Sequence, residues 1–490
     1  MYWEPFDEIS NLAPISQRDN VILSRRFSLD QFAPIAVYEK AKSLFPGEVS
    51  FLFESAGNSE GNYTIIVIGA RERLVYASKK TTYTDGSGTS HPLDISPFEF
   101  LKSYYAKIDQ KSYRTLAQEL NIGYIDGFIG YIGYDMVKVF EPVLEESMSH
   151  LKDQTSIPDM DLILPKLTLV VSHKNATITL ISSIDTIQGR FEEIETSLKS
   201  PYGYTPLLAI REDKGGDYIH TKEQFFSMVD KSKEMIKSGD VFQILMTNRY
   251  VRHAQVDPFS FYRILRLKNP SPYMYLMEYE DFSIVGSSPE VMVRLTGGDI
   301  LLRPIAGTRK RGGTKQRDLE LEDELLSDPK ELAEHLMLID LGRNDVGRVA
   351  KTGTVKVEEM MHVERYSHVM HIVSDVHATL RDDKDMFDLL AATFTAGTMT
   401  GAPKIRAMEL IAQFEGVKRG FYSGTIGYFG FDGNMDSAIT IRTALIKPDI
   451  VILQAGAGVV ADSQNELEYL EVANKLGALT STLEDLVNPL

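Results

Sequence analysis

The 490-residue chain contains no cysteine. That absence excludes disulfides, a thiolate nucleophile and zinc–thiolate sites. Positive charge is in deficit, with 52 Lys and Arg against 69 Asp and Glu, a net charge of −17. Such a chain is a poor nucleic-acid binder, because affinity for phosphate backbones rests on clustered Lys and Arg. It also repels an anionic substrate at long range, so an anion site here needs local cations or a metal. No apolar run approaches the ~20 residues of a membrane span, and YTIIVIGA (63–70) is about the best. The start, MYWEPFDEISNL, is acidic without an apolar core and does not read as a secretory signal. The cytoplasm is the simplest expected location. Solenoid-period repeats and low-complexity tracts are also missing.

What is present is a globular composition, 43% hydrophobic and 25% charged, long enough for two or three domain-sized units. Residues 1 to 205 read as a mixed α/β region. YTIIVIG (63–69) is strand-like, and LTLVV (167–171) with ATITLISSI (176–184) flanks a turn, predicting a hairpin. The stretch 100–120 is polar and motif-free. Residues 199–218, rich in Pro and Gly, read as a linker. Beyond them, TKEQ is a capping box with Thr221 at the N-cap, its helix runs to Ser238, and Gly239 closes it. A strand follows over 241–251. Hairpins are predicted for YMYLM/FSIVG, for VMVRL/ILLRPI across TGGD, and for GTIGYFGF/AITIRTALI across DGNM. Residues 210–490 therefore read as an α+β domain with largely antiparallel sheets.

Several stretches could carry chemistry. In SDPKELAEHLMLIDLGRNDVGRV (327–349), Glu331 and Glu334 stand one helical turn apart; Glu331 also suits a capping box with Asp328, whereas Glu334 has no such role. In DSQNELEYLEVANK (462–475), Glu468, Glu471 and Lys475 share a helical face, either as a solvated ion-paired surface or as ligands to a hard cation such as magnesium. RPIAGTRKRGG (303–313) turns at Gly307 and Thr308 into a basic, glycine-rich loop whose amides could hold an oxyanion; Arg309 to Arg311 read as mobile surface. TFTAGTMTGAPKIRAMELI (393–411) feeds a helix start suited to a carboxylate or phosphate. In DSAITIRTALI (436–446), read as one strand, Arg442 lies among Ala438, Thr440 and Ala444, leaving room for a carboxylate that it can grip; QAGAGVVADS follows, where Gly456 and Gly458 permit close approach. His371 alternates with Val369 and Val373 and suits either a core position or proton transfer.

In this order, GDVFQ, NPSPYMY, GSSPE, RPIAGT, KELAEHLMLIDLGRND, YSHVMHIVS, TAGTMTGAPK, GTIGYF, IRTALI and QAGAGVVADS closely resemble the chorismate-utilising enzymes, and among them the branch of anthranilate synthase large subunits. The likeness is dense over about 218–480 and is carried further upstream mainly by FLFESA (51–56). It implies two largely antiparallel β-sheets packed as a sandwich with helices outside. It implies magnesium held by Glu334 and Glu471, with Glu331 and Glu468 assisting through water. One chorismate carboxylate would meet the metal. The other would meet Arg442 and Tyr422, with the amides of Gly456, Ala457 and Gly458 and the Lys475 ammonium nearby. Gly307, Thr308 and Thr398 would line the pocket. Glu290 would be the general acid for the leaving hydroxyl, and His371 would assist the later loss of pyruvate. Water-adding branches carry a lysine where this chain has Gln243, and the aminodeoxychorismate branch often has PIKGT where this chain has Ala306; lacking both lysines fits direct attack by ammonia. Without cysteine, ammonia from glutamine requires a separate amidotransferase subunit. The resemblance also implies feedback by tryptophan at Glu54, Ser55, Asn269, Pro270, Ser271, Pro272, Tyr273, Met274 and Tyr428. Competing expectations are an aminodeoxyisochorismate synthase, an aminodeoxychorismate synthase component, and a catalytically silent tryptophan sensor.

Overall fold

The alternating run that begins at Tyr63 extends well past Gly69. A computed structural model, which describes residues 22–31, 33–55, 63–366 and 369–489, shows a 15-residue strand, Tyr63–Ala77. The acidic start of the chain, Ala56, Ser367 and His368 lie outside the described residues. Met160–Ser172 runs antiparallel to that strand, from Tyr63 opposite Ser172 to Tyr76 opposite Met160. The register shifts between Ala70 and Glu72, a bulge that raises local twist and bends the pair. Before the bulge, Thr64 to Ile68 pair with Ser50–Glu54; beyond it, Arg73 to Ala77 pair with Lys80–Thr84. The two long strands thus belong to two sheets at once.

From Ser50–Glu54 the first sheet continues through Tyr273–Glu278, Ser283–Ser288, Thr443–Lys447 and Ile450–Val459 to Gln243–Arg252. From Met160–Ser172 the second continues through Gly127–Ile132, Thr425–Gly430, Met435–Ile439, Val291–Thr296 and Asp299–Leu302 to Val369–Thr379. These ladders are all antiparallel, as the hairpin signals predict, including the one over 160–182. Alternation divides the side chains between two cores. Phe51, Tyr275, Ile284 and Leu445 of the first sheet meet Phe128, Met292, Ile426 and Phe429 of the second. Their neighbours Leu52, Leu276, Val285 and Ala444 face the other way, onto helices that supply Val37, Phe225, Phe261, Leu410 and Leu476. The architecture is an α+β sandwich with helices outside. The 199–218 stretch is coil up to a short strand, Gly216–Tyr218. Strands from both sides of it pair with each other, as Ser50–Glu54 does with Tyr273–Glu278. Among the described residues no helix is long and apolar enough to cross a membrane.

The helix Lys222–Ser238 has the expected capping box, with Gln224 N donating to Thr221 Oγ1 and Thr221 N to Gln224 Oε1, and Gly239 ends it at φ +83°. The helix Pro329–Gly347 begins differently. Asp328 accepts from the amides of Lys330 and Glu331, but its own amide donates to Leu325 O at the end of the preceding helix, so Glu331 is not a capping-box partner. That correction frees its carboxylate.

One buried ion pair fastens several of these elements together. Arg419 donates to Glu415 through Nε (2.9 Å) and Nη2 (2.7 Å), and both side chains are almost wholly buried. The same guanidinium donates to Met399 O (2.7 Å) and Leu245 O (2.9 Å) and lies 4.8 Å from the Tyr134 ring centroid. Glu415 in turn accepts from Thr247 N at 2.9 Å. Arg419→Met strands Glu415 as an unpaired buried charge and is expected to cost about 3–5 kcal/mol. The double variant Glu415→Leu/Arg419→Met is expected to lose less. Urea unfolding followed by circular dichroism checks this, and a larger loss in the double variant would contradict it.

Candidate active site

Two neighbouring chain segments change sheets side by side. Ser283–Ser288 belongs to the first sheet and Val291–Thr296 to the second, so Pro289 and Glu290 form a crossover. Met435–Ile439 and Thr443–Lys447 make the reverse passage through Thr440–Arg442. The crossovers are stitched together: Ile439 N donates to Glu290 O (3.0 Å), Ser287 N to Arg442 O (3.1 Å), and Ser288 Oγ to Ile439 O (2.6 Å). This corrects the expectation of one strand over 436–446. The ladder partner changes there, so pairing is interrupted and Arg442 takes a left-handed φ of +52°.

Arg442 carries a guanidinium with no hydrogen-bond or ion-pair partner among the described residues. Burial lowers its pKa and nearby Tyr422 raises it; a guanidinium stays charged under any such shift. Glu290 is the opposite case. Burial pushes its carboxyl up to about 7, against smaller opposing effects of Thr398 and Lys475. Thr398 Oγ1 donates to Glu290 Oε1 at 3.1 Å from the turn Gly397–Met399. A carboxyl with a raised pKa and a cation unpaired among the described residues thus share the sheet junction.

The other pocket residues arrive on ordered strands. Gly456, Ala457 and Gly458 lie opposite Thr247, Met246 and Leu245. A Cβ on Gly458 would sit 2.7 Å from Gln243 Nε2, so this glycine is the space that Gln243 occupies. Gln243 is buried and its Oε1 has no partner among the described residues. Ala457 turns its methyl into the outer core. Tyr422 is buried beside Gly456 and Arg442, and burial above all raises its pKa; Gly456 O accepts from Lys475 Nζ at 3.0 Å. The expected basic loop after Pro304 is instead a strand, Ile305–Lys310, paired with Val369–Thr379 and bulged between Ala306 and Arg309. Gly307, at φ +63°, and Thr308 form that bulge. Gly307 O takes a hydrogen bond from His371 Nδ1 at 2.8 Å, with Thr308 Oγ1 at 3.1 Å from the same nitrogen. That bond leaves Nε2 of the neutral ring as the acceptor. Burial, more than any neighbouring charge, lowers the His371 pKa, and Arg442 and Lys475 add to the effect.

The four glutamates come from two helices, Pro329–Gly347 and Asn465–Val487. Burial raises the pKa of Glu334, and Glu331 and Glu471 raise it further; burial likewise raises Glu468, with Glu471 adding to it. The carboxylates therefore lie in one another's field. Two are held by cations, Glu331 by Arg309 (3.1 Å) and Glu471 by Lys475 (2.7 Å). Glu334 and Glu468 have no ion-pair partner among the described residues. No three acidic or histidine side chains among those residues enclose a metal position by themselves. The donor set fits a hard divalent cation that takes one or two carboxylates and completes its shell with substrate oxygens and water. Sequence reasoning set Arg309 aside as mobile surface. The structure pairs it with Glu324, Asp328 and Glu331 at 20% exposure; the signal lay in the N-cap aspartate and first-turn glutamate that such a cation neutralises. Sequence reasoning also passed over Glu415 and Arg419, whose i,i+4 spacing was legible.

A second group assembles behind the Glu290 crossover. Glu54 lies opposite Met274, and its carboxylate is held by Arg266 (2.9 Å) and Tyr262. Ser55 follows it. Asn269 ends the helix Pro258–Lys268 and donates to Ser287 O at 3.3 Å; Pro270, Ser271 and Pro272 lead on to Tyr273. Tyr273 donates to Asp436 at 2.8 Å, and Tyr428 lies opposite Asp436 with its ring 4.8 Å from that of Tyr124.

The family model for chorismate binding enzymes matches residues 48–481. The chain belongs to that family and is a chorismate-utilising enzyme. It is 41% identical to anthranilate synthase component 1 of Aquifex aeolicus (strain VF5), covering 97% of each chain, and 39% identical to that of Acetivibrio thermocellus, covering 99% of each. Its structure is similar to the crystal structure of anthranilate synthase component I from Streptococcus pneumoniae TIGR4, with a TM-score of 0.75 and 31% identity over 93% of this chain and 99% of that one. The menaquinone-specific isochorismate synthase from Escherichia coli shares the fold, with a TM-score of 0.70 and 19% identity over 97% of this chain and 98% of that one.

The Glu290 environment has a measurable sign. Its carboxyl ionises near 4.5 when exposed and about 7 when folded. Below the lower value both states are protonated and the group contributes nothing to the pH dependence. As pH rises through 4.5 to about 7 the folded state resists ionisation, and stability falls by up to about 3 kcal/mol. Glu290→Gln removes this loss. The variant is expected to match the parent near pH 4.5 and to exceed it in stability at pH 8, measured as unfolding midpoints. An equal difference at both pH values would remove Glu290 as the titrating group.

Proposed function

We propose that the protein converts chorismate and ammonia to anthranilate, pyruvate and water, the committing reaction of tryptophan biosynthesis. One observation carries the reading: the unpaired Arg442 guanidinium and the high-pKa Glu290 share one buried junction, suiting a carboxylate-bearing substrate that must lose a hydroxyl. The full-length relatives named anthranilate synthase component 1 support the same product.

Arg442 and the Tyr422 hydroxyl bind one substrate carboxylate, with Lys475 nearby. Glu290 gives its proton to the ring hydroxyl, which leaves as water while the ammonia nitrogen bonds to the ring. Thr398 orients the acid. Gln243, uncharged where a lysine base would activate water, leaves ammonia as the nucleophile. His371 is held through Nδ1 with Nε2 free to take the ring proton as the enolpyruvyl C–O bond breaks. Pyruvate departs and the ring becomes aromatic. Glu334 and Glu471 would hold magnesium, with Glu331 and Glu468 assisting through water. The ion would neutralise and orient the other substrate carboxylate.

Ammonia would come from a glutamine amidotransferase subunit, since this chain has no cysteine to attack glutamine; the relatives' designation as component 1 supports a partner. Tryptophan would bind among Glu54, Ser55, Asn269–Met274 and Tyr428, and the Asn269–Ser287 contact would carry its effect to the Glu290 crossover. The cytoplasm is the proposed location.

Purified chain, chorismate, ammonium at mildly alkaline pH and magnesium are expected to give anthranilate fluorescence that falls when tryptophan is added. Chorismate consumed without fluorescence, with an aminodeoxy product by mass, would replace this reading with an aminodeoxy synthase. Glu334→Gln and Glu471→Gln are each expected to abolish magnesium-dependent turnover with circular dichroism unchanged; near-normal activity in either would remove that residue from the metal site. Glu54→Ala is expected to weaken tryptophan inhibition while leaving uninhibited turnover within about twofold, since substitutions that spare the chemistry change coupling rather than rate. Unchanged inhibition would move the inhibitor elsewhere.

A further inference from the structure

The helix Pro329–Gly347 buries His335, Leu338, Ile339, Gly342 and Val346 against the second sheet. His335 is the one polar side chain in that stripe, and it is completely buried. It follows Glu334 directly and stands one turn from Glu331. Its Nε2 lies 2.8 Å from Oγ of Ser374, also completely buried. Ser374 Oγ accepts a second contact, from Met361 N at 2.7 Å. Met361 lies where the strand Lys356–Arg365 shifts register between Glu358 and His362, so its amide lacks a ladder partner and the hydroxyl replaces it. Ser374 Oγ is thus the side-chain partner of Nε2, donating to it or accepting from it according to which ring nitrogen carries the hydrogen. Nδ1 has no partner. A leucine would fill this stripe without an unsatisfied polar atom.

An apolar stripe decides which face of a helix is buried, but it resists sliding and rotation only through shape. A directional hydrogen bond fixes both. Ser374 lies on the strand Val369–Thr379, three residues from His371 and so on its opposite face. We propose that His335 is a positioning residue that, through Ser374, pins the helix of Glu331 and Glu334 to the strand of His371 and so holds those carboxylates opposite Glu468 and Glu471 for a divalent cation. This rests on the proposed metal role of the four glutamates.

The test is magnesium titration calorimetry on the full chain without substrate, paired with the thermal midpoint of the metal-free protein. His335→Leu and Ser374→Ala are each expected to weaken magnesium binding about tenfold or more, the usual cost of losing a group that orients a ligand. The metal-free midpoint of His335→Leu is expected to hold or rise. His335→Gln, whose side-chain amide can accept or donate in the place of Nε2, is expected to recover most of the affinity. Unchanged magnesium affinity in both His335→Leu and Ser374→Ala would overturn the inference. So would affinity losses that merely follow losses of metal-free stability across the variants. Should His335→Leu fail to fold, Ser374→Ala with His335→Gln still decides. Failure of the parent protein itself to bind magnesium would overturn the metal reading, a result read on the unmodified chain alone.

Discussion

The buried pair of Glu415 and Arg419 is the constraint on which the site geometry rests. A charge in that position is tolerable only when every donor and acceptor is matched. Here the matching partners are Leu245 O and Thr247 N on one strand and Met399 O beside Thr398. The pair therefore sets the distance between the strand that faces Gly456–Gly458 and the turn that orients Glu290. It also draws in Tyr134 from the first half of the chain. Polar satisfaction, rather than apolar packing alone, makes these separate segments agree on one arrangement.

The candidate site lies where strands leave one sheet for the other. Within a ladder each amide and carbonyl is spoken for and side chains alternate between two filled cores. At a crossover the ladder lapses, so Arg442 can adopt a left-handed backbone and keep a free guanidinium, and Glu290 can be buried without an ion pair. The raised acidity range of Glu290 and the unpaired cation are unfavourable for the empty protein. In the proposed reaction they would become useful once a carboxylate and a leaving hydroxyl occupy the same space.

Periodic signals were legible in the sequence and interruptions were not. The capping box at Thr221, the turn glycine at Gly239 and the hairpins follow from local chemistry, and the structure contains them. The 436–446 stretch keeps a perfect strand pattern through Thr440–Arg442, because nothing local records that its partner strand changes. Arg309 looked like surface because its partners, Glu324, Asp328 and Glu331, become neighbours only when two helices pack beside its strand. Glu331 suited a capping box on spacing alone, but the amide it would have capped was already bonded to Leu325. His371 carried two readings, and the bond from Nδ1 to Gly307 O now gives its ring a defined orientation. In each case the missing information was long-range contact, which a window of ten residues does not contain.

Strand pairs that join the two halves of the sequence bear on how the chain must be made. Ser50–Glu54 waits for Tyr273–Glu278, and Gly127–Ile132 waits for Thr425–Gly430. A ribosome that has released the first two hundred residues has therefore exposed two apolar strand edges whose partners are not yet synthesised. Unpaired edges of this kind invite pairing with other chains. The sandwich that brings Glu290 and Arg442 together thus leaves the half-made chain with edges that only later synthesis can cover.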